Sequence, residues 1–183
     1  MIIQITGTSG SGKSHLMRSF LDWSGRNLDV SDVDNGYEIL LENDPSTTAF
    51  VLGRYDVPTG GCDTIRDVTK LYELIDEALK AHQYVLFEGL FVMNQTRGPQ
   101  VAARLGKDYH VLQLITPLAT CIASINARRA ARGEGELATK DNTINNYTRA
   151  ENFCYRMREA GARVRRVTRD EGLDKMLELL GVA

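Results

Sequence analysis

Residues 1–21 read MIIQITGTSGSGKSHLMRSFL, and this stretch decides the fold. MIIQIT is a short apolar run suited to a buried strand, and Lys13 to Trp23 carries Leu16, Phe20 and Leu21 at helical spacing. Between them lies Gly7-x-x-x-x-Gly12-Lys13-Ser14, the complete glycine-rich pattern that cradles phosphates. Glycines let successive backbone N–H groups face one anion, and the helix that follows adds the positive end of its dipole. Gly7, Thr8, Ser9, Gly10, Ser11, Gly12, Lys13 and Ser14 are therefore the expected contacts to a nucleotide's phosphates. In such a loop the lysine reaches the β- and γ-phosphates, and the hydroxyl at Ser14 takes a Mg²⁺ position.

Outward from this loop, β-rich runs alternate with helical ones. TTAFVLGRY, YVLFEG, HVLQLIT and ARVRRVT join MIIQIT as strands, about five in all. LDVSDV and GYEILL flank the turn signal Asp34-Asn35-Gly36 and predict a small hairpin. A helix is expected from Asp63, which can cap it, with Ile65, Val68, Leu71, Ile75 and Leu79 on one face. Further helices follow Pro117, span 142–160 up to Gly161, and span 173–180. Strands separated by helices mean an α/β chain with a mainly parallel sheet, whose ligands bind at the carboxyl ends of the strands.

The 183 residues contain no repeat or linker, so one domain is expected over 1–183. No apolar run approaches the roughly 20 residues of a membrane span, and Met1 opens directly on an apolar strand, so no membrane association and no secretion signal are expected. Cys62, Cys121 and Cys154 are odd in number and far apart, which suits reduced thiols in a cytoplasm better than disulfides or a zinc site. The net charge of −2 excludes a protein that coats nucleic acid through its overall field, although local basic patches can still grip a few phosphates.

Glu88 ends the apolar strand YVLFE beside Gly89, where an acid is expected to assist the metal or to act as base. NARRAARGEGE places Arg128, Arg129 and Arg132 at a helix end entering a glycine-rich lid, approximately residues 128–142. There Arg128 and Arg132, one turn apart, can neutralise charge that develops on transferred phosphate. Arg163, Arg165, Arg166 and Arg169 read instead as the outer face of an edge strand. GRYDVPTGGCDTI is a long polar loop suited to enclosing a second substrate. Asp63 and Asp56 are candidates to take a proton from an attacking hydroxyl, ahead of Asp32 and Asp34. Capping of the next helix explains Asp63 equally well. Arg54, Tyr55 and Arg97 are candidates to hold the acceptor, and Phe91 to stack on a base.

The order phosphate loop, FEG strand, arginine-bearing lid and NYTRAENFCYRMREAG helix resembles the P-loop nucleoside and nucleotide kinases. The combination VLGRYDVPTGGCDTI with VLFEGL resembles, more narrowly, the phage 5-hydroxymethyl-deoxyuridine (5-hmdU) DNA kinases. That resemblance implies a three-layer P-loop kinase fold and an ATP- and Mg²⁺-dependent phosphotransferase. It implies as acceptor the 5-hydroxymethyl group of 5-hydroxymethyluracil in phage DNA, an enzyme of thymidine hypermodification in the host cytoplasm. Under it Gly7 to Ser14 bind ATP, Asp63 is the base and Glu88 assists Mg²⁺. The residues themselves leave two alternatives open: a kinase of a free nucleoside, nucleotide or other small metabolite, and a nucleotide-binding regulatory module without transferase activity. They leave the oligomeric state open too.

Overall fold

A computed structural model describes residues 1–182 apart from 42–46, 57–59, 66, 95 and 136–140. Parts of two expectations, the lid over 128–142 and the loop DVPTGGC, therefore lie outside the described residues. The sheet has seven strands: β1 (Ile2–Thr6), β2 (Asp29–Val33), β3 (Gly36–Leu40), β4 (Thr48–Leu52), β5 (Tyr84–Glu88), β6 (Tyr109–Leu114) and β7 (Arg163–Val167). Their order is β2-β3-β4-β5-β1-β6-β7. β4, β5, β1, β6 and β7 are mutually parallel, and these are the five strands expected from the sequence. The hairpin β2–β3, turning at Asn35 (φ 64°), adds two antiparallel strands at the β4 side, which raises the count to seven.

β1 is buried along its whole length, and its alternation serves both faces of the sheet. Ile2 joins Leu71, Tyr72, Ile75, Phe153 and Met157 on one face; Ile3 and Ile5 join Leu16, Met17, Phe20, Met176 and Leu180 on the other. Each such side chain, fully buried, contributes roughly 1.5–3 kcal/mol. Gln4 is the polar exception. Its Oε1 accepts from the Tyr109 hydroxyl at 2.7 Å, so the buried amide is satisfied. Helices α1 (Lys13–Asn27) and α6 (Arg169–Leu180) cover the Ile3 face, with Gly172 of α6 lying on Leu16. Helices α2 (Val68–Ala81), α3 (Arg97–Leu105) and α5 (Asp141–Glu159) cover the Ile2 face. Helix α4 (Leu118–Ala131) follows β6 and faces the phosphate loop.

Two of the boundaries that differ from the sequence reading bear on the site. Asp63 does not cap a helix; it lies in a single turn, Cys62–Thr64, and α2 starts five residues later. The cap is Asp67, whose carboxylate accepts from the N–H groups of Thr69 and Lys70. Arg169 is not part of the edge strand but the first residue of α6. Thr168 and Glu171 close a reciprocal capping box there, which turns the chain out of β7. Among the described residues no helix is long and apolar enough to cross a membrane.

Candidate active site

The loop Gly7–Gly12 joins β1 to α1 at the centre of the sheet's carboxyl edge. Gly12 precedes α1 with no side-chain cap, and the first turn carries no acid, so the amides at this helix start are left for an anion. Lys13 is buried, with Nζ donating to the carbonyls of Gly7 and Thr8, both at 3.1 Å. The loop is braced from three sides. Thr116 donates to the Ser11 carbonyl at 2.8 Å. Thr8 donates to the carbonyl of Thr143 at 3.1 Å, and Asn146 donates to the Ser9 hydroxyl at 3.3 Å. Gly10 lies against the Cys121 carbonyl of α4 so tightly that no Cβ would fit.

Parallel pairing sets Glu88 beside Ile5, one strand over from the loop. Ser14 donates to Glu88 Oε1 at 2.7 Å, which couples the first turn of α1 to the end of β5. Burial raises the Glu88 carboxyl above its ordinary range, opposed by Lys13 and the Ser14 hydrogen bond. Burial likewise lowers the Lys13 ammonium, opposed by Glu88 and Asp63. The hydroxyl and carboxylate form a pair of hard oxygen donors at the mouth of the phosphate loop, the chemistry Mg²⁺ prefers. Among the described residues no three His, Cys, Asp or Glu side chains cluster as a metal site, so the phosphates and water would complete the coordination.

A cavity of about 320 Å³ opens over these groups, and Lys13, Ser14, Glu88, Asp63, Arg18, Arg128 and Arg169 line it. Asp63 Oδ1 accepts from the N–H groups of Leu90 (2.7 Å) and Phe91 (3.3 Å), which fixes the acid across the space from the phosphate loop. The chain reaches Asp63 through an antiparallel bridge, Arg54 to Gly61. Gly61 touches the Glu88 carboxylate, and a Cβ at Gly89 would stand 2.8 Å from Asp63 Oδ1. The motifs GGCD and FEG are thus packed into each other, each glycine clearing room for the other motif's acid.

The remaining expected residues scatter around this centre. Arg132 ion-pairs with Glu134 at 3.3 Å and does not line the cavity, whereas Arg128 does. Arg129 also pairs with Glu134, at 3.2 Å. Arg54 spans Asp32 and Asp56 and lies 5.3 Å over the Tyr37 ring, so these acids hold the arginine on the hairpin side of the sheet. Tyr55 is buried in the core, and its carbonyl accepts from Arg18 Nε at 3.0 Å. Phe91 and Arg97 are exposed, and neither side chain lines the cavity. Two lining arginines were not read as site residues in the sequence. Arg18 stands one helical turn after Ser14 and so shares its face. Arg169 was hidden by its assignment to the strand, although the T-x-x-E of Thr168-Arg169-Asp170-Glu171 signals a helix start there.

A likeness in fold is found in a deoxyadenosine kinase from M. mycoides solved with dCMP and dCDP as bound products. It superposes with a TM-score of 0.52 at 14% identity over the whole of both chains. A 5-hmdU DNA kinase of Pseudomonas phage PaMx11 is 32% identical over 182 residues, covering 98% of this chain and 96% of the relative. A family model described as 5-hmdU DNA kinase matches residues 1–176, so the phosphate loop, Asp63, Glu88 and the lining arginines all fall within one match, and this chain belongs to that family.

Proposed function

We propose that the protein transfers the γ-phosphate of ATP to the 5-hydroxymethyl group of 5-hmdU in DNA, a step of thymidine hypermodification in an infected cell's cytoplasm. The observation that carries this is one cavity lined by both halves of a transfer: the phosphate loop with its cations, and Asp63 facing it. Family membership supplies the acceptor class.

On binding, Lys13 Nζ exchanges the Gly7 and Thr8 carbonyls for phosphate oxygens, which the loop amides at Gly10 to Gly12 also meet. Arg128 from α4 and Arg169 from α6 approach from the other walls, where a guanidinium stabilises charge on the transferring group. Ser14 and Glu88 would hold Mg²⁺, which would supply charge neutralisation at the phosphates. Asp63, with Oδ1 held by two backbone N–H groups, takes the proton of the attacking hydroxymethyl group on Oδ2 as the new P–O bond forms and ADP leaves. Arg18, anchored to the Tyr55 carbonyl, borders the acceptor side.

The test is incubation with γ-labelled ATP and either 5-hmdU-containing DNA or the free nucleotide. Label is expected on the DNA. Label confined to the free nucleotide would refute the DNA acceptor, and ATP consumption indifferent to any acceptor would refute transfer altogether.

A further inference from the structure

An acidic chain that acts on DNA needs a place where DNA can approach it. Between Tyr147 and Arg169 the sequence has seven arginines and only two glutamates, within a chain of net charge −2. The structure gathers part of this excess at the free edge of the sheet. Among the described residues β7 pairs only with β6, and Arg163, Arg165 and Arg166 are all exposed on it. The adjoining face of α5 adds Arg158 and Tyr155, the latter 63% exposed. Glu151 of α5 meets Arg166 at 3.5 Å, and Glu178 of α6 meets Arg165 at 3.9 Å. The Arg165 pair is solvent-exposed, and Arg166 shares a half-buried Glu151 that also accepts from Gln113; at these distances both arginine contacts are weak, so a phosphate can displace them. At its carboxyl end the edge runs into Arg169, which lines the reaction cavity. Close by, Ile115, Pro117, Leu118, Ile144 and Tyr147 line an apolar groove of about 270 Å³.

We propose that the β7 edge and the adjoining face of α5 form the docking surface for the DNA backbone, which rests on the DNA-kinase reading above. Guanidinium forks match phosphodiester oxygens, and exposed tyrosines beside them suit stacking on sugars or unpaired bases. Charge complementarity selects this occupant: elsewhere the net negative chain repels a polyanion. A second copy pairing along the same edge would set Arg163, Arg165 and Arg166 against their own equivalents, which like-charge repulsion opposes. The distance is compatible with catalysis. Glu88 on β5 lies three strand spacings from β7, about 14 Å, which is roughly four base-pair rises.

The test measures binding of unmodified labelled duplex by fluorescence anisotropy without ATP, so phosphate transfer plays no part in the readout. The variant Arg163→Gln/Arg165→Gln/Arg166→Gln should bind about tenfold or more weakly, with a salt slope shallower by about 2–3, one step of roughly 0.9 per lost phosphate contact. ATP binding and melting temperature should stay at wild-type values. Should the triple variant fold poorly, Arg166→Gln alone should lower the slope by about 1. Unchanged DNA affinity and slope in the variants overturns the proposal. So does an absence of DNA binding by the wild type, or variants that lose only self-association or only binding to anionic vesicles. Wild-type DNA binding without transfer to 5-hmdU would remove the function proposed above and leave this surface standing; intact transfer with variant binding unchanged would do the reverse.

Discussion

Residue 61 has no room for a side chain, because Glu88 Oε1 occupies the place where a Cβ would stand. Gly61 also has φ 77°, a conformation in which L-residues are strained. The two constraints make Gly61→Ala a probe of Glu88 itself. The substitution should cost of order 1–3 kcal/mol, read as a fall in melting temperature of several degrees. It should also lower kcat, because the displaced carboxylate loses its contact with Ser14. A variant that melts normally and turns over normally would show that Glu88 can shift without consequence.

Asp63 and Asp67 are four residues apart in sequence and have separable jobs. Asp67→Ala removes a helix cap and should cost about 1 kcal/mol, or 2–4 °C in melting temperature, with kcat unchanged.

Asp63→Asn keeps an oxygen to accept from Leu90 and Phe91, so stability should hold while turnover falls about 10²- to 10⁴-fold with ATP binding retained. Asp63→Ala strands both N–H groups and should lose about 1–3 kcal/mol in addition. If Asp63→Asn turns over at the wild-type rate, Asp63 is only a brace for the loop after β5.

These two aspartates also mark where the sequence was legible and where it was not. The five parallel strands were readable because buried strands such as Ile2–Thr6 and Tyr109–Leu114 are apolar along most of their length. The phosphate loop was readable because its chemistry is local. The start of α2 was not, since CDTIRD offers two caps and only the packing of Asp63 onto Leu90 and Phe91 chooses between them. Helix α3 was missed because RGPQVAARL is short and has Pro99 near its start; Asn94 caps it from outside, accepting from Thr96 and Arg97. The contact between Gly61 and Glu88 joins residues 27 apart in the chain, and no local pattern encodes it.

Lys13→Ala should reduce turnover about a hundredfold or more, the scale of removing one donor from a developing phosphate charge. Far-UV circular dichroism should stay native, since the lysine bonds only two loop carbonyls in the free protein. Turnover within a few-fold of wild type would contradict the role given to the phosphate loop.

The cysteines make a prediction about alkaline pH. All three are buried, and burial raises each thiol: Cys154 is pushed up to about 12, opposed by Arg158, while Cys62 and Cys121 are raised as well. In the unfolded chain a thiol ionises near 9.0. A folded pKa above the unfolded one means that the folded state keeps a proton the unfolded state gives up. The stability contributed by each thiol is therefore complete below about pH 8.5 and declines as pH rises toward the folded value. Melting temperature should fall progressively between pH 9 and 12, and Cys154→Ala should flatten part of that fall even where it lowers stability at pH 7. Alkylation provides the second readout. At pH 8 the native protein should react slowly at all three positions, and the denatured chain should react at all three at once. Rapid labelling of Cys154 in the native state would mean that α5 opens away from the sheet, and the packing of Phe153 and Met157 described above would be wrong.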